Sequence, residues 1–513
     1  MKRSELFWPI FVSTYLLGSL AVSHYALFGS WMQYAFGVPH YYNWDPDGYY
    51  LAAGIMFFDG PFAAWYGHPG LPLQFMIGSI AKGMHALSGD WNHLAYPAFV
   101  AQNQYEIILA TKIAMTICHL VSFYFLFKLA RILLEEWESK IAVILFATTA
   151  INLTYINKIS PEPFLLLFVL AGSYFSIRAV AHADATRACG LICIAGISAA
   201  LAMLTKLTVT FLLPVYYLLW ILIYPRIHAR RKVVLVACFI VSCLAGLFLV
   251  GKKINWGDFF SFWNAWSPIG FDALTGKTDE ISNPLTSIAK IISIISEPIT
   301  LYLGAGTLFS LKSFQGQFSL TELPLVVTGF ISIFFFLKTR LDKRWVAYSL
   351  LLLMMILAPI VIWKGAAHYR VIHLAILSIF AAFGLGAIVR RCRAGTAGIR
   401  KRLILAVCLL SLSGPGVALA ISKTVNDMES YSKGWDSIYA CLRDARNGRM
   451  VTLVNSASNA FVPGRLLGWY FDFLEPDNPY SRELAAQFSR SSASLLRLKV
   501  TDLKCVIDVD QLY

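Results

Sequence analysis

The chain has 513 residues, of which 58% are hydrophobic and 14% charged. Soluble domains carry roughly 25% charged residues, so this deficit, with its repeated long apolar runs, excludes an ordinary soluble globular protein. The net charge of +14 does not point to nucleic acid, because the basic residues cluster between apolar runs, where they set topology and anchor the chain among lipid head groups.

The first apolar run, 7–28, follows Lys2 and Arg3. It has the length a membrane span needs, about 20 residues, and no small-residue cleavage site follows it, so it is expected to remain as an uncleaved first helix. Further spans are predicted at 105–127, 141–156, 163–181, 188–205, 208–224, 233–250, 323–337, 345–363, 371–389 and 403–421. Lys and Arg favour cytoplasmic loops. With the N-terminus inside, the inner loops hold Lys128, Arg131 and Lys140, then Arg178 and Arg187, then Arg226, Arg230, Arg231 and Lys232, then Lys338, Arg340, Lys343 and Arg344, and last Arg390 to Arg402. A crossing by 71–87 alone would invert that pattern. This stretch is therefore expected along the outer interface or dipping in and out of the membrane, and 285–311 makes either no net crossing or two. The outcome is about eleven spans with the C-terminus outside.

These spans form a membrane domain over 1–422 with outer regions at about 29–104, 157–162 and 251–322. The aromatics of 251–322 suit a helix lying in the head-group layer or an ordinary long loop. From 423 to 513 the composition turns polar. Strand-like runs (Met450–Val454, Cys505–Val509) and helix-like ones (Trp435–Arg446, Arg482–Leu498) suggest a small outer α/β domain. The expected fold class is thus an all-α polytopic membrane protein with a C-terminal extracytoplasmic α/β domain.

The nine cysteines show no metal-ligand spacing. Cys118, Cys189, Cys193, Cys238, Cys243 and Cys408 fall in spans and Cys392 in an inner loop. Cys441 and Cys505 fall in the outer domain, where an oxidising compartment would let them pair. There is no P-loop and no G-x-G-x-x-G after a strand.

The chemistry-bearing stretch runs from Asn43 to Leu73. Asp47 is placed to cap a helix starting near Gly48, with Tyr49, Ala52, Ala53 and Met56 on one face. Asp45, behind Pro46, has no such local task, and a carboxylate at the membrane surface calls for a cation, a metal or a substrate. Glu162 lies at the outer end of the fourth span, where Ser160 is placed to cap, Pro161 to start the helix and the acid to complement its dipole. It also faces the surface Asp45 faces, as general-base or metal-assisted chemistry would require. Lys206 ends the fifth span, either snorkelling or serving a ligand. Lys364, His368 and Arg370 form a further outer cationic cluster that suits an anion such as phosphate. Lys252 and Lys253 read as an interfacial pair, and His68 as a loop residue or a ligand-orienting one.

An acid soon after the first span, then Tyr49, then Ala52-Ala53-Gly54, then the His68-Pro69-Gly70-Leu71 turn, resembles the opening of the C-type membrane glycosyltransferases. The protein O-mannosyltransferase and aminoarabinose-to-lipid-A transferase group is the nearest likeness. The resemblance covers roughly 5–225. It places Asp45 on the family's first-loop acid, Glu162 on its second-loop acid, Lys206 in a recurrent L-T-K feature and Tyr369–Arg370 on a late aromatic-basic pair. Pro46 stands where many members have a second acid, and Gly54 where they have Arg. The resemblance implies an integral membrane enzyme that takes sugar from a polyprenyl-phosphate carrier at the outer face; with no retention signal evident, a bacterial inner membrane is expected. Phosphate would meet Lys206 and Arg370, with His68, His368 and Tyr49 as further substrate contacts, and a lipid, glycan or protein hydroxyl would accept the sugar. Some members use a divalent metal at the first-loop acid, here Asp45, and others use none. Two other classes stay open: an O-antigen polymerase or ligase, and a transporter of lipid-linked sugar.

Overall fold

A computed structural model describes residues 6–28, 49–60, 70–88, 95–155, 159–257, 314–364, 370–391, 403, 405–419, 421, 451–454, 479, 496–501 and 504–507. The helices are α1 (Phe7–Phe28), α2 (Tyr49–Ile55), α3 (Leu71–Leu87), α4 (Tyr96–Gln102), α5 (Gln104–Leu133), α6 (Glu136–Ala147), α7 (Ala150–Tyr155), α8 (Glu162–Ala181), α9 (Ala185–Thr210), α10 (Leu213–Ile223), α11 (Ala229–Gly251), α12 (Phe314–Thr339), α13 (Arg344–Lys364), α14 (Val371–Arg391) and α15 (Leu405–Leu419). The expected spans fall in helical stretches, but two are divided: 141–156 between α6 and α7, and 208–224 between the last residues of α9 and α10. Among the described residues, six are long and apolar enough to cross a membrane, within α5, α8, α9, α11, α12 and α14, and four shorter apolar helices accompany them. The chain is an integral membrane protein.

The basic turns meet at one end of the bundle. Arg390, closing α14, bonds to Glu138 of α6, and Lys343 donates to Leu133 O at 3.1 Å. Arg231 at the head of α11 donates to His182 O in the α8–α9 turn. Glu138 also completes a capping box with Glu135 at the start of α6, so one buried acid both caps a helix and receives the cation of another. α14 runs through the centre, with Val371 to Phe383 buried without interruption, as a helix apolar on every side must be.

α3 covers the stretch expected along the interface. It is not among the helices that qualify as spans. It buries Leu71, Leu73, Ile77 and Ala81 and leaves Phe75 and Leu87 exposed. α2 differs from the one-faced helix expected, because Tyr50, Leu51, Ala52, Ala53 and Ile55 are all buried. The reason is close packing against α3: a Cβ on Gly54 would lie 2.5 Å from Ile77 Cβ.

The C-terminal region contains β1 (Val451–Val454), β2 (Leu496–Thr501) and β3 (Lys504–Ile507), in the order β1-β2-β3. β1 and β2 are parallel and β2 and β3 antiparallel. A parallel pair needs a long crossover, which 455–495 is long enough to supply. The run expected as helix to Leu498 instead enters a strand at Leu496, because Leu496–Lys499 pairs with Val451–Val454. Cys441 and the helix expected at Trp435–Arg446 lie outside the described residues, as does 285–311.

Candidate functional site

The end of the bundle opposite the basic turns gathers α2, α3, α4, the starts of α8, α12 and α14, and the end of α11. Pro161 and Pro163 flank Glu162. Neither has an N–H to satisfy, so two of the donors a helix start usually leaves over are absent. This explains a correction: Pro161, not Ser160, is the N-cap, no side-chain cap forms, and Ser160 Oγ has no hydrogen bond among the described residues. Glu162 sits in the first turn of α8, where a carboxylate complements the dipole.

Lys206 does not snorkel. Its Nζ lies 2.5 Å from Glu162 Oε1, and the side chains are only 5% and 7% exposed. α9 brings it there by breaking: Lys206 has φ −156° and ψ 76° within an otherwise helical run. Behind the pair, Ser122 Oγ of α5 bonds to Cys118 O at 2.8 Å and reaches Pro163 O at 3.4 Å. His119, one turn earlier on α5, is buried and within Coulombic range of Glu162.

Arg370 immediately precedes α14 and is half-buried. It lies within Coulombic range of Glu322 and His373. Glu322, near the start of α12, is buried and accepts from Ile151 N at 3.4 Å. Glu322, His119 and the buried Lys112 of α5 were missed in the sequence. Their signal was available, because an ionisable residue inside or at the edge of a span is a functional candidate by default.

Lys253 also departs from its expected place in an interfacial pair. Its ammonium donates to Phe57 O at 2.9 Å and Gly60 O at 2.5 Å, strapping the turn after α2 to the end of α11. Burial, then the neighbouring Lys252, push its pKa down, against the opposing charge of Asp59. Asp59 pairs with Lys82 of α3 at 3.0 Å. Lys82 stands 3.5 Å over the Tyr96 ring, and Tyr96 Oη donates to Ile55 O at 3.3 Å. α2, α3 and α4 are therefore fixed to one another and to the end of α11.

Glu162 and Lys206 are thus brought together, and Arg370 stands at the same end. Asp45, Asp47, His68 and His368 lie outside the described residues, and for Tyr49 only the backbone, opening α2, is described. Among the described residues no group of three His, Cys, Asp or Glu is placed to hold a metal.

Residues 103–248, from the start of α5 through most of α11, match the family model described as dolichyl-phosphate-mannose-protein mannosyltransferase. That stretch includes Glu162 and Lys206. No curated protein matches the sequence. Among solved structures, the oligosaccharyltransferase AglB from Archaeoglobus fulgidus, in complex with an inhibitory peptide and a dolichol-phosphate, aligns with a TM-score of 0.50 at 13% identity, covering 95% of this chain and 69% of that one. The A. fulgidus oligosaccharyltransferase in complex with Zn and sulfate aligns equally, covering 94% and 67%. ArnT from Cupriavidus metallidurans bound to undecaprenyl phosphate gives 0.49 at 13% identity, covering 96% and 93%. The chain has the fold of the C-type membrane glycosyltransferases and resembles their protein mannosyltransferase group.

Proposed function

We propose that this protein is an inverting glycosyltransferase that moves a sugar from a polyprenyl-phosphate carrier to an acceptor hydroxyl at the bundle end holding Glu162, Lys206 and Arg370. The observation that carries this reading is the Lys206 ammonium held on Glu162 in a break of α9. A carrier of this kind keeps its tail in lipid and its phosphate at head-group depth. The scissile bond joins the sugar's anomeric carbon to a phosphate oxygen. When it breaks, the electron pair stays on that oxygen, so the leaving group needs cations more than it needs an acid. Lys206 and Arg370 are assigned that task. Glu162 orients Lys206, and Glu322 balances Arg370.

The acceptor hydroxyl attacks the anomeric carbon from the opposite face and loses its proton to a carboxylate. Asp45 is assigned as that base, and as the position where a divalent metal would bind if one is used. Tyr49, His68 and His368 are assigned to the substrate, and Asp47 to capping α2 or assisting Asp45. The solved relatives bound to dolichol-phosphate and undecaprenyl phosphate agree with a lipid-linked donor, and the acceptor is assigned only as a lipid, glycan or protein hydroxyl. The excess of cations at the opposite end supports the reading that this end faces the cytoplasm; the site and residues 423–513 are assigned to the outer side, and the membrane is assigned as a bacterial inner membrane.

The test uses purified protein in lipid with a panel of polyprenyl-phosphate sugars, following release of free polyprenyl phosphate. Release by the wild type and not by Asp45→Asn supports the reading and names the sugar. No release from any donor, with an acceptor panel present and no measurable donor binding, would overturn it in favour of a polymerase or transporter.

A further inference from the structure

The break in α9 is built, and its parts come from two places in the chain. Thr210 Oγ1 lies 3.0 Å from Lys206 O, the ordinary i−4 contact of a helical threonine. It also lies 3.0 Å from Ala202 O, eight residues back. In a straight helix residues eight apart are separated by about 12 Å along the axis, so this contact exists only because the chain turns at Lys206. From the other side, Gly70 N donates to Thr205 O at 3.1 Å. Carbonyls around the break thus find donors outside the regular helical ladder, as buried backbone oxygens must.

Gly70 fits this task for two reasons. Its φ of +48° is left-handed, a conformation other residues adopt at a cost. A Cβ there would also lie 2.4 Å from Tyr50 Cε1. The same residue is the N-cap of α3. The N-cap of α3, within the first outer region, is therefore hydrogen-bonded directly to the residue before Lys206.

We propose that Gly70 and Thr210 are positioning residues for Lys206: the Gly70 amide and the Thr210 hydroxyl hold the break in α9 that turns the Lys206 ammonium onto Glu162. Neither touches the reacting atoms. The inference rests on the reading of Lys206 as the cation that meets the donor phosphate, and it adds that the first outer region and that cation are set by one hydrogen-bonded unit.

The decisive experiment does not require activity. Thr210→Val keeps the shape of the side chain and removes the hydroxyl, and Thr210→Ser keeps the hydroxyl. Thermal midpoints in lipid nanodiscs are measured for Thr210→Val, Lys206→Met and the double variant. If Thr210 acts through Lys206, the loss caused by Thr210→Val shrinks in the Lys206→Met background. Additive losses would show that the hydroxyl only patches a helix end, and would overturn the proposal.

Where the wild type turns over a polyprenyl-phosphate sugar, Thr210→Val lowers kcat/KM roughly 10- to 100-fold, the scale of a small misplacement of a positioning group. Thr210→Ser restores it to within about twofold. Equal kcat/KM for Thr210→Val and wild type overturns the proposal as well. A wild type that, with an acceptor panel present, neither turns over nor measurably binds any donor refutes the transfer reading, and the midpoint comparison still decides the role of Thr210.

Discussion

Lys206 and Glu162, 44 residues apart in sequence, share a 2.5 Å contact with both side chains almost fully removed from solvent. Removing one member of such a pair leaves the other charge buried, which costs about 3–5 kcal/mol, whereas replacing both by neutral groups costs much less. Lys206→Met is therefore expected to lower stability by that amount, and the Lys206→Met/Glu162→Gln double variant to recover most of it. Thermal unfolding in one detergent at fixed pH checks this. A double variant less stable than Lys206→Met would show that the pair is not the relevant interaction.

Glu162 and Lys206 were each legible as candidates, because an acid or amine at a span end is costly to keep there. Their pairing was not, since nothing local in L-T-K announces that the helix breaks at the lysine. Apolar length made the helices of the membrane domain legible, and six of them among the described residues are long and apolar enough to cross a membrane. Lys253 was misjudged for the opposite reason. Its partners are the backbone oxygens of Phe57 and Gly60, which carry no side-chain signature. Glu322 was legible in kind, as one acid near Pro324 at the edge of a span; its contact with the Ile151 amide of α7 was not.

Gly54 stands where the family resemblance expects Arg, and its surroundings leave no room for any side chain. A Cβ there would lie 2.5 Å from Ile77 Cβ and 2.7 Å from Ile77 Cγ2. Gly54→Ala is expected to force α2 away from α3 at a cost of about 1–3 kcal/mol. Trimming the neighbour with Ile77→Ala should not restore the loss, because alanine keeps the Cβ that clashes. Full recovery of the thermal midpoint in that double variant would contradict the packing described.

Tyr96 links stability to alkaline pH. Burial first, and the charge of Asp59 second, raise its pKa well above the ordinary phenol value of 10. The fold therefore holds the neutral phenol, and its contribution is complete below about pH 10. As pH rises further, the unfolded chain releases the phenol proton while the folded one retains it, so stability falls. Tyr96→Phe removes this part of the decline. It also loses the hydrogen bond to Ile55 O, worth about 1 kcal/mol. The variant should be less stable at neutral pH and should converge on the wild type above about pH 10. Parallel stability curves through that range would remove Tyr96 from the account.

The cation excess at the Glu138–Arg390 end predicts that end in the cytoplasm. A reporter fused after Tyr513 is then expected to read as external, and one inserted in the 338–344 turn as cytoplasmic. Swapped signals would reverse the orientation while leaving the helix arrangement untouched.

Asp45→Asn separates proton transfer from binding. The amide keeps the shape of the carboxylate but cannot accept a proton from the acceptor hydroxyl. If Asp45 is the base, kcat falls by about 10²- to 10⁴-fold, while affinity for the carrier phosphate, assigned to Lys206 and Arg370, changes little. Lys206→Met in the Glu162→Gln background has the opposite signature, with weaker carrier binding and a folded protein, because no buried charge is left without a partner. If a divalent metal binds at Asp45, the asparagine variant also loses any dependence of turnover on added metal or chelator. Near-normal turnover by Asp45→Asn would sink its role as base and move that role to another acid of the first outer region, Asp47 first. Comparing kcat and carrier affinity for these two variants in one nanodisc preparation assigns the proton acceptor and the phosphate cation independently, since each variant leaves the other group in place.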